Sequence, residues 1–459
     1  RKSNITDKEH GGITQKIGAY EIITEFKDYK TNKITFIDTP GHEAFTKLRA
    51  RGANVADLAL LLIDGKDSVM PQTIESIAHI KSAKIPFIVV INKVDLPESN
   101  PEKIKRDLIK YEVLVEGKGG NVPVALVSAK TGKGVKELLE TILLVSADLN
   151  LSYNPENPPQ IYIIETKKNR RGIVVSGIIK EGTVKTGDIL YSSDKKIKVR
   201  SMFNDLGKPV EEVYPSTPFE MLGFEEMPEV GTLIQKELIN QSEDLSQEST
   251  VLKNISLDDV LQSQQKAPKQ LSLVIKADSQ GSLEAINQSL KDNKNIKIIL
   301  ETVGEINKSD VFLAKTTKSI IVGFAVEPTA EAKDLAKQEK VIIKNYQIIY
   351  ELLDELTEVA KLIKEKEERE KNLKGEAKVL ATFIIEKETI YGVKVTKGKI
   401  NLDDSLECFR QNKLIGKTRL VSLKIRAKTF NEVKKDQEAG MVFSPRLDIS
   451  IGDVVKSIL

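Results

Sequence analysis

Tryptophan is missing from all 459 residues of this chain, and cysteine occurs once, at Cys408. A single cysteine excludes a disulfide framework and points to a reducing compartment. No apolar run approaches the roughly 20 residues that cross a bilayer, and no signal peptide is visible, so no membrane association is expected. There is no charge excess either. The 70 Lys and Arg against 67 Asp and Glu leave +3, so nucleic-acid contacts must come from local patches. The first residue is Arg1 instead of Met, and the chain is read as a fragment or a processed form. Lys and Asn abound, a trait of AT-rich genomes.

What is present is ordinary globular composition, 40% hydrophobic and 30% charged, over a length that predicts three or four domains. Four apolar runs in the first third each end in a polar signature. Lys33–Asp38 leads into Thr39, Pro40, Gly41 and His42; Asp57–Asp64 is the second. Ile85–Ile91 leads into Asn92, Lys93, Val94 and Asp95, and Val122–Val127 into Ser128, Ala129 and Lys130. Short apolar runs alternating with amphipathic stretches read as buried parallel strands of a doubly wound α/β sheet. Ligands bind at the carboxyl ends of such strands.

The signatures carry chemistry in combination. Asp95 at a strand end can accept two hydrogen bonds from a base with adjacent N–H and NH₂ donors, the edge of guanine and not of adenine. Alone, N-K-x-D is also an ordinary turn. With Ser128-Ala129-Lys130 one strand later it becomes specific, because a backbone N–H there can meet the base carbonyl. Asp38 can hold Mg²⁺ through water, and Gly41 lets the backbone approach a terminal phosphate. D-T-P-G alone is equally a β-turn. His42 sits where a side chain can orient an attacking water, while His10 and His79 read as structural or exposed. Thr14, after Gly11 and Gly12, offers a hydroxyl to Mg²⁺. The phosphate-cradling loop G-x-x-x-x-G-K-[ST] occurs nowhere in residues 1–150. As given, the chain should bind nucleotide very poorly.

Further along, Asn154–Pro159 marks a boundary. The expected organisation is a doubly wound P-loop-type domain at 1–152, a β-barrel at 158–236 and a linker at 237–268. An α/β sandwich domain at 269–345, a long helix at 346–374 and a C-terminal β-barrel at 375–459 follow. In the α/β part, Ser282 is the expected N-cap. The long helix carries an apolar stripe through Leu352, Leu356 and Ala360, then turns entirely charged, with Gly375 as its expected stop. The two barrels share a repeat: Gly182, Asp188 and Leu190 match Gly398, Asp404 and Leu406, and Val230–Leu233 matches Ile451–Val454.

The wording of these segments closely resembles bacterial-type translation initiation factor two, over essentially the whole chain. The resemblance rests on Gly11–Ala19 (G-G-I-T-Q-K-I-G-A), Asp38–Ala53 (D-T-P-G-H-E-A-F-T-K-L-R-A-R-G-A), Val69–Ile74 (V-M-P-Q-T-I) and Lys276–Ala285 (K-A-D-S-Q-G-S-L-E-A). It implies a translational GTPase that binds GTP and Mg²⁺ and works as a monomer. Its implied partners are the small and large ribosomal subunits and initiator formylmethionyl-tRNA. It further implies that the phosphate loop lies immediately upstream of Arg1. In the C-terminal barrel it implies tRNA contacts from Gly392, Lys424, Glu438 and Gly440. There the chain departs from the family, with Val393 and Ala439 at positions where cysteine is usual and Ile425-Arg426-Ala427 in place of a basic, aromatic stretch. These departures with AT-rich coding suit a plastid stroma or the cytoplasm of an AT-rich bacterium. Two other readings stand beside this one. One is a nucleotide-free ribosome-docking protein with a degenerate GTPase domain; the other is an elongation-type GTPase.

Overall fold

The computed structural model describes residues 13–26, 29, 32–192, 195–236, 270–385, 388–411, 413–425 and 428–458. Gly11, Gly12, His10 and the expected linker lie outside them. The chain divides into two compact units, the first running to Thr357 and the second from Glu358 to the C-terminus, with 254–270 assigned to the second.

In the first unit, β3 (Ala59–Asp64), β4 (Phe87–Asn92) and β5 (Val124–Leu126) form a parallel sheet in that order. Helices α1 (Thr46–Val55), α2 (Pro71–Ala83), α3 (Pro101–Ile109) and α4 (Val135–Asp148) follow the strand ends. The run Ile88–Ile91 is at most 1% exposed because both faces of β4 are covered. Val89 and Ile91 pack with Ile77, Ile104 and Leu108, and Ile88 and Val90 with Ile142, Ile34 and Phe36. Each such side chain contributes roughly 1.5–3 kcal/mol of burial. Asn100 caps α3 by accepting from Lys103 N–H at 3.0 Å, with Pro101 in the first turn.

Lys33–Asp38 (β2) pairs antiparallel with Gly18–Ile23 (β1), Gly18 opposite Asp38. The reason is reach. Only residues 24–32 separate the two strands, and a parallel crossover needs a dozen or more residues.

The α/β part is a four-stranded parallel sheet, ordered Ile296–Val303, Leu271–Ala277, Ile320–Phe324, Ile343–Tyr346. Its first helix, Gln280–Leu290, is capped by Ser279 and not by Ser282: the Ser279 hydroxyl accepts the Ser282 N–H at 3.3 Å. The long helix spans Ile349–Lys371 and buries Ile349, Leu352, Leu356 and Ala360. Gly375 does not stop it. It lies in the strand Leu373–Ile385, where a Cβ would sit 2.2 Å from the Lys399 carbonyl oxygen, so close strand approach is what demands glycine.

The two β-rich parts repeat one another in detail. Gly182 and Gly398 both take positive φ, +68° and +62°. The Asp188 carboxylate accepts from Lys185 N–H at 2.8 Å and that of Asp404 from Asn401 N–H at 2.9 Å. Gly231 N–H donates to Ile163 O, and Gly452 N–H to Val379 O, each at 2.9 Å. Leu190 and Leu406 are fully buried. In the second unit the strands close into a barrel. Leu373–Ile385, Val454–Ile458, Ser405–Arg410, Lys413–Ile425, Glu438–Ser444 and Glu388–Asn401 pair in turn, and the last returns to the first.

Candidate functional site

The N-K-V-D and S-A-K loops leave adjacent strands, β4 and β5, and one side chain joins them. The Asn92 Oδ1 accepts from Ala129 N–H at 3.0 Å and from Lys93 N–H at 2.8 Å. Lys93 takes φ +60°, and the Val94 N–H reaches Val127 O at 3.2 Å. Ser128 is fully buried and its hydroxyl accepts from Thr131 N–H at 3.2 Å. A hydrogen bond with the same Ser128 side chain holds the exposed Asp95 carboxyl below its usual range. The Lys93 ammonium is 2.5 Å from Asp64 at the end of β3, which depresses Asp64 and raises Lys93. The Ala129 N–H is thus held by the Asn92 side chain, which fixes the S-A-K loop against the N-K-V-D loop.

The D-T-P-G-H segment leaves β2. Asp38 is exposed at the strand end, Pro40 is buried, and the space beside the Gly41 Cα is open. His42 opens a short 3₁₀ turn, Glu43–Phe45, and its Nδ1 accepts from Ala44 N–H at 2.9 Å. A backbone N–H can only donate, so the neutral ring carries its proton on Nε2. Burial, with the Arg49 charge nearby, lowers the His42 pKa below its ordinary value. A neutral Nε2–H ring can orient a water by donation, but it cannot take a proton at that nitrogen. Positioning, and not general-base action, is the chemistry open to it.

Thr14 precedes β1, and the residues after it reach far along the chain. The Gln15 amide donates to Gln347 O and its oxygen accepts from Ile349 N–H, both at 2.9 Å, so Gln15 caps the long helix. Lys16 pairs with Asp278 of the α/β part. The Thr14 hydroxyl and Asp38 carboxylate are hard oxygen donors. Among the described residues no group of three His, Cys, Asp or Glu gathers. Oxygen donors of this type are what Mg²⁺ takes as its protein ligands.

In the C-terminal barrel, Gly392 lies opposite Gly440, and Gly440 opposite Lys424, on three neighbouring strands; Glu438 faces Lys394. A Cβ on Gly392 would meet the exposed Phe383, and one on Gly440 would meet Ile390. Arg426 and Ala427 lie outside the described residues.

Several partners are not visible in the sequence as site residues. Asp64 left a signal, since it closes β3 as Asp38 closes β2. Gln15, Arg49, Glu75 and Tyr350 left none, because each acts on a residue distant in the chain. The His79 Nε2 lies 3.3 Å from the Glu75 carboxylate, one turn back on α2.

A parallel sheet with the N-K-V-D and S-A-K loops at its strand ends, the D-T-P-G-H loop before it and a β-rich part after it define a translational GTPase. Residues 2–147 match the family profile described as elongation factor Tu GTP binding domain, and residues 158–236 that of elongation factor G domain 2. Residues 246–357 match the profile described as translation-initiation factor 2. Translation initiation factor IF-2 of Thermoanaerobacter sp. is 39% identical over all of this chain and 68% of its own length. For Anoxybacillus flavithermus the values are 38%, 100% and 65%, and for Geobacillus sp. 39%, 100% and 64%. The chain belongs to the translation initiation factor IF-2 family. It spans about two thirds of the length of these relatives, and 53% of the one from Syntrophomonas wolfei. Among the described residues no helix is long and apolar enough to cross a membrane.

Proposed function

We propose that this chain is the GTP-binding and tRNA-binding part of an initiation factor. It promotes placement of initiator formylmethionyl-tRNA on the small ribosomal subunit and the joining of the large one, with GTP hydrolysis on the assembled ribosome. The observation that carries this reading is the Asn92 carboxamide, which ties the N-K-V-D loop to the S-A-K loop and so builds a guanine-reading surface. In it, Asp95 reads the N1–H and NH₂ edge, Lys130 N–H meets the carbonyl, and Lys93 lies along the base. Thr39, Pro40 and Gly41 border the terminal phosphate, with Gly41 N–H donating to it. Thr14 and, through water, Asp38 hold Mg²⁺, which when bound neutralises charge on the phosphate oxygens. His42 orients the attacking water. In the C-terminal barrel the strands at Gly392 and Gly440 take the formylmethionyl end, with Lys424 and Glu438. The Lys- and Asn-rich composition supports a plastid stroma or an AT-rich bacterial cytoplasm as its place.

The test uses the full natural protein that contains this chain, with purified ribosomal subunits and initiator tRNA. Tight binding of GTP over ATP, and tRNA placement that depends on GTP, are expected. Equal ATP and GTP binding, or placement indifferent to nucleotide, overturns the reading.

A further inference from the structure

Arg49 is 7% exposed, a burial that guanidinium groups avoid unless they are well paired. Its Nη1 donates to two backbone carbonyls of the D-T-P-G-H loop, Pro40 O at 2.9 Å and His42 O at 2.5 Å. Its Nη2 meets the Glu75 carboxylate of α2 at 2.6 Å, with the Thr46 hydroxyl at 3.4 Å. Burial pushes the Glu75 carboxyl up, but the hydrogen bonds from Arg49 and Thr46 outweigh it and leave the pKa below its ordinary value. Glu75 is therefore an anion, and it fixes Arg49 from a second helix. Arg49 Nε remains without a partner among the described residues. The desolvation cost is thus spent on the loop and on Glu75.

The two clamped carbonyls flank Gly41. In a trans peptide the C=O of one residue and the N–H of the next point in opposite directions. Drawing Pro40 O inward to Arg49 turns the Gly41 N–H the opposite way, away from Arg49, and no side chain crowds the Cα of Gly41. Drawing His42 O inward fixes the residue that carries the imidazole. A lysine offers a point charge and not a planar fork, so it cannot hold both carbonyls and the carboxylate in one plane.

We infer that Arg49, anchored by Glu75, is a positioning residue that aims the Gly41 N–H at the terminal phosphate of GTP. This rests on the proposed nucleotide site and adds to it the group that sets the direction of the donor. The inference has a distinctive consequence, because GDP has no terminal phosphate. Loss of the aim weakens GTP alone.

The experiment measures GTP and GDP affinity, ribosome-stimulated turnover and melting temperature in the full natural protein, comparing wild type with Arg49→Lys, Arg49→Met and Glu75→Gln. In the folded variants GTP affinity is expected to fall about tenfold, the weight of one hydrogen bond to a charged group, with GDP affinity unchanged. Equal weakening of both nucleotides marks a merely structural role and overturns the inference, as does an unchanged GTP-to-GDP ratio. Should Arg49→Met not fold, Arg49→Lys and Glu75→Gln decide it by the same ratio. A wild type with no preference for guanine nucleotides refutes the underlying site instead, so the two failures are told apart.

Discussion

The imidazole of His42 stands edge-on to the phenol ring of Tyr350, with 4.2 Å between centroids and 86° between planes. One ring belongs to the loop after β2; the other belongs to the first turn of the long helix. Such a pair is worth about 0.5–1.5 kcal/mol. With the Gln15 cap, it joins two loops of the proposed nucleotide site to the root of one helix.

Tyr350→Ala removes the phenol wall beside His42. Burial is the main cause of the lowered His42 pKa, so the midpoint should climb toward the ordinary value of about 6.5. A titration of the His42 ring by NMR checks this. An unchanged midpoint would mean that other walls keep the ring dry.

His42→Ala should leave GTP binding near wild type and lower ribosome-stimulated hydrolysis by about a hundredfold or more, the scale of a misplaced reactant. Single-turnover kinetics on assembled ribosomes measures it. Normal turnover would remove His42 from catalysis.

Asp95→Asn exchanges the acceptor that reads the NH₂ edge for a group that can donate. Preference should move from guanine to xanthine nucleotides, seen in competition binding with the full natural protein. Ser128→Ala removes the hydroxyl that steadies Asp95 and should weaken GTP and GDP alike.

Gln15→Ala deletes both hydrogen bonds at the start of the long helix. A lost cap costs about 1 kcal/mol. Faster amide exchange is expected at Ile349, whose N–H Gln15 accepts. Exchange unaltered there would show that Gln15 does not stabilise the helix.

Glu165 is 1% exposed and its carboxyl accepts from Gly281 and Thr166 N–H, while its second oxygen has no partner among the described residues. Burial raises its pKa despite those bonds. The folded protein therefore binds this proton more tightly than the unfolded chain. Stability from this group falls as pH rises from the unfolded carboxylate range through the raised folded pKa. Glu165→Gln keeps an accepting oxygen for the Gly281 and Thr166 N–H groups and carries no charge to desolvate. It should raise the melting temperature at neutral pH and flatten its pH dependence, as a thermal denaturation series would record.

How much of this was legible depended on how local the cause was. The strand β4 announced itself, because burial on both faces forces an unbroken apolar run, and β3 and β5 beside it keep apolar runs although Leu62 and Leu126 are exposed. The turns at Gly182 and Gly398 announced themselves too, because a positive φ and an Asp three residues from its backbone donor are chain-local needs. The antiparallel pairing of β1 with β2 follows from their short connection and not from apolarity. Ser282 and Gly375 were misassigned because each plays a role that depends on a neighbour, the Ser279 hydroxyl in one case and the Lys399 carbonyl in the other. The base loops were legible as motifs. Their junction through Asn92, and the hold of Arg49 on Pro40 and His42, involve residues that meet only after folding.

The long helix has one more consequence. Its first half is pinned by Ile349, Leu352, Leu356 and Ala360, and its later part relies on pairs such as Lys364 and Glu368, 3.9 Å apart. A short helical stretch held mainly by such exposed pairs is marginal in water. On warming, this stretch is the fuse of the helix and should fray before the buried first half comes loose.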